Sequence, residues 1–107
     1  MERTKPIMNA KYKSITFDKM RSYMDHDKSN ILLDVRDTDE YQAGHASGSV
    51  SLPLWKLEDG IGKLTPDMDT NLFVYCSAGV RSKSAAEKLT RMGYKNVYDL
   101  GGWRNSR

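Results

Sequence analysis

The stretch that decides how this chain folds is Leu72-Phe73-Val74-Tyr75-Cys76-Ser77-Ala78-Gly79-Val80-Arg81-Ser82. Its opening apolar run predicts a strand buried on both faces. A loop of small residues follows Cys76, and a helix is expected over Arg81 to Met92, with Ala85, Leu89 and Met92 on one stripe. Gly93 suits a left-handed cap at its end, and Tyr94 is placed to fold back on that stripe. In open parallel sheets the ligand crevice lies beyond the carboxyl ends of the strands, which is where Cys76 falls.

Working outward, Ile31-Leu32-Leu33 is a second short apolar run, ending at Asp34. Before it, Tyr12 to Ile15 reads as a short strand. Thr16 can cap a helix through about Met24, with Phe17, Met20 and Met24 on one face. After it, Asp37 or Thr38 can cap a short helix through Tyr41, which Gly44 closes. Val50 to Leu52 reads as a strand that Pro53 ends, Lys56 to Ile61 as a helical turn or two, and Thr65 to Thr70 as a polar loop. Asn96 to Leu100 gives a last strand, and Gly101-Gly102 is expected to turn the chain. Strands alternating with helices predict an α/β layered domain with a mainly parallel sheet.

Cys76 is the candidate nucleophile. Ser77, Ala78 and Gly79 have little bulk, so successive backbone N–H groups can curl around the sulfur at a helix N-terminus. An ordinary thiol is only about 3% thiolate at pH 7, and two pH units of activation require about 2.7 kcal/mol of preference for the anion. A helix terminus contributes about 0.3–1 kcal/mol, up to ~2 in favourable geometry. The loop N–H groups and the Arg81 charge are expected to provide the rest. Arg36 follows the Ile31–Asp34 strand and is expected on the same rim, holding an anionic substrate bidentately. The competing role for Arg36 is a salt bridge to Glu40 across one helical turn.

Composition narrows the function class. The 107 residues are enough for one domain, and 38% hydrophobic with 29% charged residues is an ordinary globular balance. No apolar run approaches the roughly 20 residues of a membrane helix. Met1 to Ala10 lacks a signal-like apolar core, so a cytoplasmic location is expected, with a cleaved signal outside these residues left open. A single cysteine rules out an internal disulfide, and His26 and His45 are too scattered for a metal cluster, so neither metal nor cofactor is expected. Residues 1–80 carry 10 Lys/Arg against 12 Asp/Glu, whereas residues 81–107 carry 7 against 2. No basic tract is interleaved with aromatics, so nucleic acid is not expected as a partner. A locally positive field instead suits a small anion, while most of these charges read as a solvated helix face with ordinary lysines.

The motifs together resemble the rhodanese family. The first runs Leu33-Asp34-Val35-Arg36, Glu40-Tyr41, Gly44-His45, Gly48 and Leu52-Pro53. The second runs from Val74-Tyr75-Cys76 through Arg81-Ser82, Ala85-Ala86, Leu89 and Gly93-Tyr94 to Asn96-Val97-Tyr98-Asp99-Leu100-Gly101-Gly102. The likeness covers roughly residues 12–103, as the core of one domain spanning 1–107. It implies a three-layer α/β fold with a central, mainly parallel sheet of about five strands between helices. It also implies a sulfurtransferase: Cys76 would take sulfur as a persulfide from a donor such as thiosulfate and pass it to a thiophilic acceptor. That acceptor would be cyanide in assay, or a thiol or protein. By the same resemblance Ser77, Ala78, Gly79, Val80 and Arg81 would cradle the sulfur, Arg36 would bind substrate, and Asp34 and His45 would support nearby loops. After His45 the family often has an apolar residue and proline, whereas this chain has Ala46-Ser47, so a looser loop is expected. With the chain ending at Arg107, soon after Trp103, a short or missing C-terminal segment is expected.

Two rival functions remain at this level. Phosphatases and arsenate reductases of related fold place five residues between cysteine and arginine. Here four, Ser77 to Val80, separate Cys76 from Arg81, a cradle better sized for one sulfur atom. Rhodanese-like domains also serve as interaction or sulfur-carrier modules, and an intact Cys76 loop does not exclude a protein acceptor.

Overall fold

A computed structural model describes residues 11–24 and 29–103. The elements are β1 (Lys13–Ser14), α1 (Phe17–Tyr23), β2 (Asn30–Asp34), α2 (Thr38–Ala43), β3 (Val50–Ser51), α3 (Leu57–Leu64), β4 (Asn71–Cys76), α4 (Val80–Arg91) and β5 (Asn96–Gly102). A 3-10 turn, Leu54–Lys56, leads into α3. All five strands pair in parallel in the order β1-β5-β4-β2-β3, so the expected α/β layering is observed.

The fully buried β4 lies at the centre, and its pleat divides two cores. Leu72, Val74 and Cys76 face one side, with Leu33 and Val35 from the β2 segment and Leu57, Ile61, Ala85 and Leu89 from α3 and α4. Phe73 and Tyr75 face the other, with Phe17 and Met20 of α1, Leu32 and Leu100. Successive strand residues point to opposite faces, so one apolar run serves both layers.

The 12-residue α4 would be marginal as an isolated helix. Burial of Ala85, Ala86 and Leu89 holds it on the sheet and thereby fixes where its N-terminus sits. Tyr94 folds back as expected: its N–H donates to the Leu89 carbonyl (3.2 Å) and its hydroxyl to the Thr65 carbonyl (2.6 Å). Thr16 caps α1, its side chain accepting the Lys19 N–H at 3.0 Å. Met24 and Met92 depart from the expected apolar stripes. Each falls just beyond its helix, where the chain turns off, and both are exposed.

A larger correction concerns Gly101-Gly102. They continue β5 rather than turn the chain, pairing with Tyr75 and Cys76 after a register shift opposite Val74/Tyr75. Two glycines in sequence read as a turn, but here they let a strand approach another backbone closely.

Candidate active site

Cys76 is the last residue of β4 and is almost wholly buried. Its Sγ accepts the Gly79 N–H at 3.0 Å and the Ser82 N–H at 3.2 Å. Gly79 is the N-cap of α4 and Ser82 lies in its first turn, where helix N–H groups have no carbonyl partner within the helix. The sulfur therefore acts as a cap for α4, and the end of the helix dipole favours negative charge there. Gly79 adopts φ +102°, a left-handed conformation that turns the loop back toward the sulfur. Of the loop residues expected to cradle sulfur, Gly79 donates directly. Ser77 and Ala78 form the loop backbone, and Val80 projects outward. Ser82, not among them, is the second donor. Only the helical rise from residue 79 to 82 brings its N–H to the sulfur.

Gly102 closes the loop from behind. A Cβ added there would lie 2.6 Å from the Ser77 carbonyl oxygen and 3.2 Å from Ala78 Cα. Both neighbours are backbone, so the cradle itself must move. Gly102→Ala is expected to cost about 1–3 kcal/mol in stability, the usual penalty of overpacking. It should also slow alkylation of Cys76, measured alongside a denaturation curve. Wild-type stability and reactivity together would show that the loop yields without cost.

Arg81 does not point an uncompensated charge at the sulfur. Its guanidinium makes two contacts to Glu40, at 2.7 and 3.2 Å. Glu40 also accepts the Asp37 N–H at 3.0 Å, and the Ser77 hydroxyl approaches it at 3.4 Å. The Arg81 hydrogen bond first, then that of Asp37, holds the Glu40 carboxyl at about 2, below its ordinary 4.5. With its pKa depressed on folding, the pair stabilises the fold above about pH 4.5 and loses that contribution as pH falls toward 2. The same bond to Glu40 raises the Arg81 pKa, against the effect of burial.

Arg36 follows β2 on the rim where Cys76 ends β4, as the parallel pairing requires, but its guanidinium is already engaged. Its Nε donates to both Asp34 oxygens, at 3.0 and 3.1 Å, and its Nη2 donates to Asp34 Oδ2 and to the Gly44 carbonyl, both at 2.7 Å. The side chain is 6% exposed, and the guanidinium carbon lies 4.8 Å from the Trp103 ring centre. The expected bridge to Glu40 is not formed: Arg36 pairs with Asp34 and Glu40 with Arg81, and Asp34 occupies the guanidinium edge that the expected substrate clamp would use. The reason is the pleat. Asp34, Tyr75 and Trp103 belong with the α1 face, whereas Cys76 packs on the α4 face.

Tyr75 completes this buried network. Its hydroxyl donates to Asp34 Oδ2 at 2.6 Å and accepts the Ala46 N–H at 2.9 Å. Burial first, then the bond to Asp34, pushes its pKa to about 12. The loop expected to be loose after His45 is thus pinned at Ala46. Tyr41 adds a bond to the Ser49 carbonyl (2.7 Å) and stacks on His45 with centroids 3.7 Å apart. His26 lies outside the described residues.

Among the described residues, three of the cations from 81 onward are engaged by carboxylates. Lys88 pairs with Glu58 and Lys95 with Asp69, while Arg81 is taken by Glu40.

The model for the rhodanese-like domain matches residues 16–105, most of the chain. The chain belongs to the rhodanese-like family. This rhodanese-like domain is 37% identical over 73 residues to the thiosulfate sulfurtransferase PspE of Escherichia coli, covering 68% of the chain and 70% of that protein. It is 36% identical over 72 residues to the thiosulfate sulfurtransferase GlpE of Coxiella burnetii, covering 67% of the chain and 65% of that relative. A mitochondrial relative from Schizosaccharomyces pombe is 37% identical over 89 residues, and the match spans 72% of this chain but only 63% of that protein. Among solved structures, an Escherichia coli rhodanese with anions superposes with a TM-score of 0.69 at 35% identity, covering 72% of this chain and 91% of the other. The human single-domain sulfurtransferase TSTD1 superposes with a TM-score of 0.72, covering 89% of this chain and 95% of the other, and at 24% identity supports the fold alone.

Proposed function

We propose that this rhodanese-like domain is a sulfurtransferase that carries a sulfane sulfur on Cys76. The observation behind this reading is the pair of backbone donors, Gly79 and Ser82, aimed at one sulfur atom. Cys76, reacting as the thiolate, attacks the outer sulfur of a donor such as thiosulfate. The new S–S bond forms as the sulfur–sulfonate bond breaks, and sulfite leaves with the electron pair. A thiophilic acceptor, such as cyanide in assay or a thiol, then attacks the outer sulfur of the persulfide. Cys76 leaves as a thiolate, received by the same N–H groups, so one cradle serves both half-reactions. The chain has no second cysteine to relay sulfur internally, so the acceptor comes from outside it.

The test is the intact mass of the protein after incubation with thiosulfate. A gain of one sulfur atom, about 32 Da, removable by cyanide or a thiol reductant, is the expected result. An unchanged mass under conditions where Cys76 still reacts with iodoacetamide would overturn the reading.

A further inference from the structure

Each arginine expected at the rim of the site is already paired with a carboxylate. Arg36 is buried against Asp34, and Arg81 is clamped by Glu40. Glu40 is held in turn by the Asp37 N–H and approached by the Ser77 hydroxyl, so it belongs to the loop's architecture. With its carboxyl held at about 2, chiefly by Arg81, Glu40 is ionised wherever a thiol reacts. Asp37 and Asp39 flank it near the start of α2. Of the cations near by in the chain, Lys56 sits in the turn before α3, over the Trp55 ring, and Lys83 is exposed on the first turn of α4. The sulfur is served by the Gly79 and Ser82 N–H groups, and the Arg81 guanidinium that interacts with it is shared with Glu40.

The geometry points to Glu40 as a specificity residue acting through Arg81: by occupying the guanidinium, it weakens the hold of the site on doubly charged oxyanions. The donor that this site favours then carries one negative charge, as an organic thiosulfonate or persulfide anion does, in preference to a dianion. The donor identity rests on the sulfurtransferase reading, whereas the charge selectivity does not. Thiosulfate and methanethiosulfonate form a suitable pair, differing by a methyl group in place of one anionic oxygen. With either, the Cys76 thiolate bonds to the terminal sulfur as the bond to the sulfonyl group breaks. Sulfite leaves from the first and methanesulfinate from the second, with charge conserved and no oxidant needed.

The experiment compares kcat/KM for the two donors in the wild type and in Glu40→Gln, which keeps an oxygen for the Asp37 N–H but removes the charge. The thiosulfate value is expected to rise relative to methanethiosulfonate by about threefold to tenfold, mainly through KM, and high salt should erase the change. Loss of a purely structural contact would lower both values together. Protection of Cys76 from iodoacetamide provides a readout that needs no sulfur transfer. In the wild type, sulfate should protect little better than methanesulfonate, and in Glu40→Gln or Glu40→Ala sulfate should gain by the same factor. Strong preferential protection by sulfate in the wild type, or an unchanged donor ratio in Glu40→Gln, would overturn the assignment. If sulfate protection sharpens while neither donor loads sulfur, the charge role stands and the sulfurtransferase reading falls.

Discussion

Replacing Arg36 with alanine is expected to destabilise the domain by about 3–5 kcal/mol, the cost of stranding one partner of a buried ion pair. Asp34 is fully buried and would keep the Tyr75 hydroxyl and the Arg36 backbone N–H but lose the guanidinium, while the Gly44 carbonyl would lose its donor. For a domain of this size that loss corresponds to a fall in Tm of at least about 12 °C. Arg36→Lys should recover part of it, because an ammonium can meet one Asp34 oxygen but not bridge both. Thermal or urea denaturation of the variants decides the matter. A wild-type Tm in Arg36→Ala, with a raised KM for thiosulfate, would restore Arg36 to the substrate site.

Cys76→Ser is expected to abolish sulfur loading completely while leaving the fold in place. A serine hydroxyl cannot form a persulfide, so neither the mass increase nor thiosulfate:cyanide turnover should survive. Its oxygen can still accept a hydrogen bond from the loop, and the volume change is small, so the denaturation midpoint should shift little. Turnover retained in a purified variant would remove Cys76 from the role of sulfur carrier. A collapsed fold would show that the sulfur is needed structurally as the cap of α4.

The extent to which the site was legible differs residue by residue, for a consistent reason. Features generated by local spacing could be read directly. The apolar runs at 31–33 and 72–75, the small-residue loop after Cys76 and the helix beyond it imply a parallel α/β sheet. A cysteine at a carboxyl-terminal strand end follows from that order. The linear pattern even carries the pleat, since Val74 and Cys76 must share a face that Tyr75 does not.

Partner choice required the tertiary structure. Arg36 and Glu40 are close in sequence, so a local ion pair was the natural expectation. In the fold, Asp34 and Arg36 share the α1 face, while Glu40 reaches across 41 positions of chain to Arg81. The Ser82 N–H becomes a ligand of the sulfur only because packing of Ala85 and Leu89 fixes the helix beneath it. Gly102 has no role visible in a glycine pair, and acquires one because β5 lies against Ser77 and Ala78. Periodicity and local turn chemistry are properties of neighbouring residues, so the sequence alone determined the layers and the position of Cys76 at the end of its strand. Ion pairing and backbone approach depend on distances set by the whole sheet, so only the tertiary structure decided which carboxylate each arginine meets and how closely β5 approaches the Cys76 loop.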